Sequence, residues 1–170
     1  MEKILKLLNQ GISKHNAMLI AEQVSTDNKR YDKLINIVFS NIEPISRRAV
    51  YAIDNTNDIN PKLITKYIDR ITDFVLTKPN YSIMRSLLKL LAENNIAKDK
   101  QGKILQLCTD YIYSEKVPPA VKVHCLQIFY NISEEETDLK LELIQIIEST
   151  IEHNTAAYKS RANKLLEKLH

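Results

Sequence analysis

The chain has 170 residues, of which 44% are apolar and 26% charged, with a formal net charge of +3. That balance supports a packed core and excludes a disordered chain. With only 2 glycines, 5 prolines and no tryptophan, the sequence also excludes glycine-rich phosphate-cradling loops and favours long regular elements.

The first helix is expected over Glu2–Asn9, ended by Gly11, a residue suited to a left-handed position. Ser13 is placed to cap a second helix to about Ser25, and Asp27 or Asn28 a third, with Tyr31, Leu34, Ile35 and Val38 on one face. Pro44 opens a helix to about Asn55, and the pair Asn60-Pro61 reads as the start of the next. That helix would put Leu63, Ile64, Tyr67, Ile68, Ile71, Phe74 and Val75 on an apolar face at spacings of three and four. Pro79-Asn80 ends it and opens Tyr81 to about Asn94. Asp99 is placed to cap a helix to about Tyr113, and Pro118-Pro119 open one ending near Asn131. Ser133 with Glu136 has the form of a capping box before Leu139–Ile151, and Asn154 or Thr155 precedes the last helix, to about Leu169. No segment alternates as a strand does.

The helix openers Pro44, Tyr81, Pro118 and Thr155 are 37 residues apart each time. The spacing divides one repeat domain, 1–170, into units 13–43, 44–80, 81–117 and 118–154 and a terminal helix 155–169, the first unit being shortened. Each full unit reads as a helix, a link and a longer second helix. One column is chemically constant: Arg48, Arg85, Lys122, Lys159. The next, Ala49, Ser86, Val123 and Ser160, is small or β-branched, and Tyr67, Ile104 and Leu141 align in the second helices. A hairpin of this kind has too much apolar surface to stand alone and buries it on its neighbours.

The segment Ser46-Arg47-Arg48-Ala49-Val50-Tyr51-Ala52-Ile53, a basic residue followed by small ones in a helix, resembles the HEAT repeat. The ending from Ala156 to Leu166 is similar to that of small bacterial HEAT-like proteins, some of which carry the label adenylosuccinate lyase. The resemblance implies an all-α fold, a right-handed α-α superhelix of about four hairpins with a capping helix, whose second helices line the concave surface. It carries over no catalytic residue, because true lyases of that name have a Ser-Ser-x-Met-Pro-x-Lys loop and this chain has no Ser-Ser pair.

Two constellations follow. The column Arg48, Arg85, Lys122, Lys159 would form a ladder, either fixing the stacking through polar pairs or tracking a phosphate backbone. On the second helices, Lys62, Lys66 and Arg70 share one face, and Asp138 and Glu142 share another two units later, beside Glu134, Glu135 and Glu136. The section 118–154 holds 2 basic and 7 acidic side chains, so the charge is polarised along the chain. A surface that changes sign favours a protein or peptide ligand over nucleic acid.

Other chemistry is thinly represented. His15, His124, His153 and His170 have no metal-ligand spacing, and Asp69 with Asp73 sits beside Lys66 and Arg70 as ordinary surface charge. Cys108 and Cys125 fall in apolar patterns and read as inert buried thiols able to approach each other. With no secretory leader pattern at Met1-Glu2-Lys3-Ile4 and no membrane-length apolar run, the expected location is cytoplasmic. The sequence thus predicts a non-catalytic scaffold binding a protein or peptide on its concave face, with no cofactor, metal or membrane. Nucleic-acid binding is the alternative, and lyase activity a remote third that rests on a label alone.

Overall fold

The structure, a computed structural model, describes residues 1–169; His170 lies outside them. Ten α-helices follow one another: α1 (Glu2–Asn9), α2 (Lys14–Val24), α3 (Asn28–Phe39), α4 (Ile45–Ile59), α5 (Ile68–Leu76), α6 (Tyr81–Ala92), α7 (Lys98–Tyr113), α8 (Pro119–Ser133), α9 (Thr137–Thr150) and α10 (Ala156–Leu169). Short 3₁₀ turns precede α5 and follow α9, and the described residues contain no strand.

Two layers form. The even-numbered helices α2, α4, α6, α8 and α10 pack side by side. The odd-numbered helices lie on them, α3 along α4, α5 along α6, α7 along α8, and α9 against α8 and α10. Contacts within the odd layer are thin: α3 meets the turn before α5 through the ring pair Tyr31–Tyr67 and α5 itself through Phe39–Phe74, with centroids 5.6 and 5.2 Å apart. The more closely packed even layer is here called the inner layer and the odd layer the outer layer. The second helices of the sequence-derived units, α5, α7 and α9, make up the outer layer.

Sequence pattern accounts for this layering. An even-layer helix touches neighbours on three sides and needs apolar residues nearly all round: α6 buries Ile83, Met84, Leu87, Leu88, Leu90 and Leu91. An odd-layer helix needs only a stripe, and α5 buries Ile68, Ile71, Thr72 and Val75, a spacing of three and four. Buried threonines complete their hydrogen bonding within the helix: Thr56, Thr72 and Thr150 donate to the carbonyls of Ala52, Ile68 and Ile146 at 2.6–2.8 Å.

Several start and stop signals act as expected. Ser13 Oγ accepts from the Asn16 N–H and Asp27 Oδ1 from the Arg30 N–H, both at 3.0 Å, and Asn80 Oδ1 from the Ser82 N–H at 2.9 Å. Gly11, at φ +121°, turns the chain out of α1.

Five expectations fail for identifiable reasons. The helix after Pro61 begins at Ile68, because turns over 61–67 first bring Ile64 and Tyr67 into the core, and the Asn60 amide is committed elsewhere, donating to Ser25 O at 2.9 Å. Asp99 is in the first turn of α7, whose cap position is Ala97. Ser133 forms no capping box: α8 runs through it, and its hydroxyl donates to Tyr130 O. Among the three full units the second helix is longer only in the α6–α7 pair, since α4 has 15 residues against 9 in α5, and α8 has 15 against 14 in α9. The Tyr67–Ile104–Leu141 column also breaks, because Tyr67 and Ile104 are buried while Leu141 is 58% exposed.

Candidate functional site

Side chains separated by nearly one repeat length bind each unit to the last. On the inner layer, Arg48 donates to Leu8 O at 2.8 Å, Asn60 to Ser25 O and Asn131 to Ala92 O at 2.7 Å. Each acceptor is a carbonyl at or near the end of α1, α2 or α6, a group left without an intrahelical partner. Lys89 Nζ meets Asp54 at 2.6 Å, Asn57 donates to Glu93 at 2.9 Å, and Arg161 donates to Gln127 Oε1 at 2.7 Å.

The outer layer does the same with exposed ion pairs. Lys66 Nζ lies 3.0 Å from Asp32 and 4.8 Å from the Tyr67 ring centroid. Arg70 stacks over Phe39 and donates to Asn36 at 3.3 Å. Lys100 pairs with Asp73 at 2.9 Å and lies 3.9 Å from Asp69, and Lys98 meets Glu135 at 3.1 Å. Of the predicted second-helix residues, Lys66 and Arg70 are thus engaged with the preceding unit, while Lys62, Asp138 and Glu142 are exposed and far apart along the stack.

The basic column spreads out. Arg48 is tied to the end of α1, Lys122 is 7% exposed in α8, and Lys159 lies 3.6 Å from Glu152. Of this column, only Arg85 is exposed with no hydrogen-bond or ion-pair partner among the described residues. It stands in a groove along the seam between α4 and α6.

At the N-terminal end of the seam, Lys14, Arg47, Tyr51, Ser82, Arg85 and Ser86 line an open cleft. Farther along, Tyr51, Arg85 and Ser86 continue with Asp54, Lys89 and His124 around a space of about 300 Å³. The Asp54–Lys89 pair marks the middle, with Asp58 and Glu93 beyond it. Charge therefore runs from basic, through paired, to acidic along one seam.

Electrostatics follow from this crowding. Burial, then the charges of Arg85, Arg161 and Lys89, push His124 down to about 4, so the imidazole is neutral at pH 7. Burial also pushes the Glu93 carboxyl up, with Asp54 and Asp58 adding to the effect against Lys89 and Asn57. For Lys89, burial works against the charge, but Asp54, Glu93 and Asp58 more than reverse it and the ammonium titrates above its usual value.

Nothing in the groove is arranged as a nucleophile with its base. Both cysteines are free thiols buried away from it, and burial, then the neighbouring Cys108, raises the Cys125 thiol well above its ordinary range. Among the described residues, no three His, Cys, Asp or Glu side chains are placed to hold a metal, and no helix is long and apolar enough to cross a membrane. Sequence reading missed Arg47, Tyr51, Ser82 and Ser86, which meet only because α4 and α6 lie side by side.

A family model described as a HEAT repeat domain matches residues 4–169. The chain belongs to the HEAT-repeat family. No curated protein and no solved structure matches it. HEAT repeats commonly mediate protein interactions, and their families are typically non-catalytic scaffolds. The tie between side chains of one unit and helix-end carbonyls of the last is how this HEAT array fixes its register.

Proposed function

We propose that this HEAT-repeat protein is a non-catalytic scaffold that binds a protein or peptide along the α4–α6 seam of its inner layer. The observation that carries the reading is Arg85: its inner-layer neighbours Arg48, Lys89 and Arg161 are each engaged with another unit, and Arg85 is not. An unpaired guanidinium in a groove, beside two serine hydroxyls and a tyrosine, is a ready contact for a partner's polar groups.

The reading is tested by charge reversal. Tagged wild type, Arg85→Glu and Lys62→Glu are expressed in the native cell, and co-purifying proteins are quantified by mass spectrometry. Arg85→Glu is expected to deplete the partners at least tenfold, and Lys62→Glu to leave them in place. Partners unaffected by Arg85→Glu, or lost with Lys62→Glu, would contradict it.

One observation favours nucleic-acid binding as a second reading: Arg47, Arg85 and Arg161 stand on α4, α6 and α10 of the same layer. Against it, Asp54, Asp58 and Glu93 carry like charge to a phosphate backbone. A gel shift at low salt separates the two, since a shifted band with a steep salt slope belongs only to the nucleic-acid reading.

A further inference from the structure

We propose that the N-terminal end of the α4–α6 seam is a carboxylate-recognition pocket, taking one aspartate or glutamate side chain of the docked peptide between Arg47 and Arg85. This rests on the reading of the groove as a peptide-binding surface and adds the chemical class of what it holds.

Three observations converge. Lys14, Arg47 and Arg85 line the same cleft and no carboxylate does. The Arg47 Nε–H is buried without a hydrogen-bond acceptor. Glu43, beside the cleft, accepts from Ser82 Oγ at 2.8 Å and pairs through its second oxygen with Arg47 Nε at 3.8 Å, so Arg47 is held in place by one acid while Arg85 has none. Arg85, lacking any partner among the described residues, is the second fork.

The unpaired Arg85 guanidinium, exposed in a cleft it shares with Lys14 and Arg47, defines the ligand. A planar carboxylate matches the guanidinium fork with two parallel hydrogen bonds, and Ser86 offers a further donor. Down the seam the lining changes to the Asp54–Lys89 pair. A peptide satisfies both places, with one acid at the arginines and polar or basic residues beyond. A phosphodiester chain carries a charge at every nucleotide and is repelled there.

The test is fluorescence anisotropy of the full chain with a dye-labelled oligoglutamate peptide, with oligolysine and oligothymidine as comparison probes. Oligoglutamate is expected to bind saturably and weaken with salt. Arg85→Ala and Arg47→Ala are each expected to reduce affinity about tenfold or more, and Arg70→Ala, on the outer layer, to leave it unchanged. Arg85→Lys keeps the charge and loses the fork, so an intermediate affinity is expected, and thermal melts show which variants are folded. No oligoglutamate binding, tighter binding of oligothymidine, or an equal loss with Arg70→Ala would overturn the pocket. If oligoglutamate fails while Arg85→Glu still strips the cellular partners, the groove reading stands and the carboxylate inference alone falls.

Discussion

The two layers spend the same residue types differently. On the outer layer, lysines and arginines pair with acids of the preceding unit in water, as with Lys66–Asp32 and Lys100–Asp73. On the inner layer, polar side chains reach helix-end carbonyls and part-buried partners, as with Arg48, Asn60, Asn131 and Lys89. Exposed pairs are screened and contribute little. Carbonyls at buried helix ends have no substitute partner when the donor is removed. The inner layer therefore holds the register, and it also leaves one arginine unused.

That contrast predicts a graded set of effects. Leu88→Ala, in the centre of the inner layer, should cost about 2–5 kcal/mol in chemical unfolding; a loss under about 1 kcal/mol would mean that α6 is not packed as described. Acidification comes next. His124 is held near 4 in the folded chain against an ordinary value of 6.5, so the unfolded chain binds the extra proton between those values. Stability should be complete above pH 6.5 and fall by up to ~3 kcal/mol as the pH drops towards 4. His124→Gln should flatten that slope.

Asn131→Ala, which strands Ala92 O, should cost about 1–3 kcal/mol by thermal unfolding. Lys66→Ala, on the outer layer, should cost at most about 1 kcal/mol, and that small loss should shrink with added salt. An outer-layer loss as large as that of Asn131→Ala would erase the distinction. An effect of similar size has the opposite sign: Lys78 holds φ +56° after α5, and Lys78→Gly should stabilise the chain by about 1 kcal/mol.

Much of this was legible in the chain. The 37-residue spacing of Pro44, Tyr81 and Pro118 marks the starts of α4, α6 and α8, and Ser13, Asp27 and Asn80 cap the helices they precede. Local signals fail where a distant group competes for the same atoms. Asn60 looks like a cap and is taken by Ser25, and Ser133 is inside α8 because that helix continues until Ile132 is buried. Which helices form the closely packed layer is not a local property. It follows from how closely α2, α4, α6, α8 and α10 approach, and only then do Arg47, Tyr51, Ser82 and Ser86 become neighbours. One signal was present: polar residues 34–40 apart, such as Asp54 with Lys89 or Gln127 with Arg161, fall near the repeat length and pair across it.

The most direct test places a photo-crosslinking amino acid at Ser86, in the seam, and separately at Lys103, on the exposed side of α7, in the native cell. The inner-layer account predicts discrete protein adducts from Ser86 that disappear when Arg85→Glu is added, and none from Lys103. Adducts from Lys103 alone, or Ser86 adducts indifferent to Arg85→Glu, would contradict it.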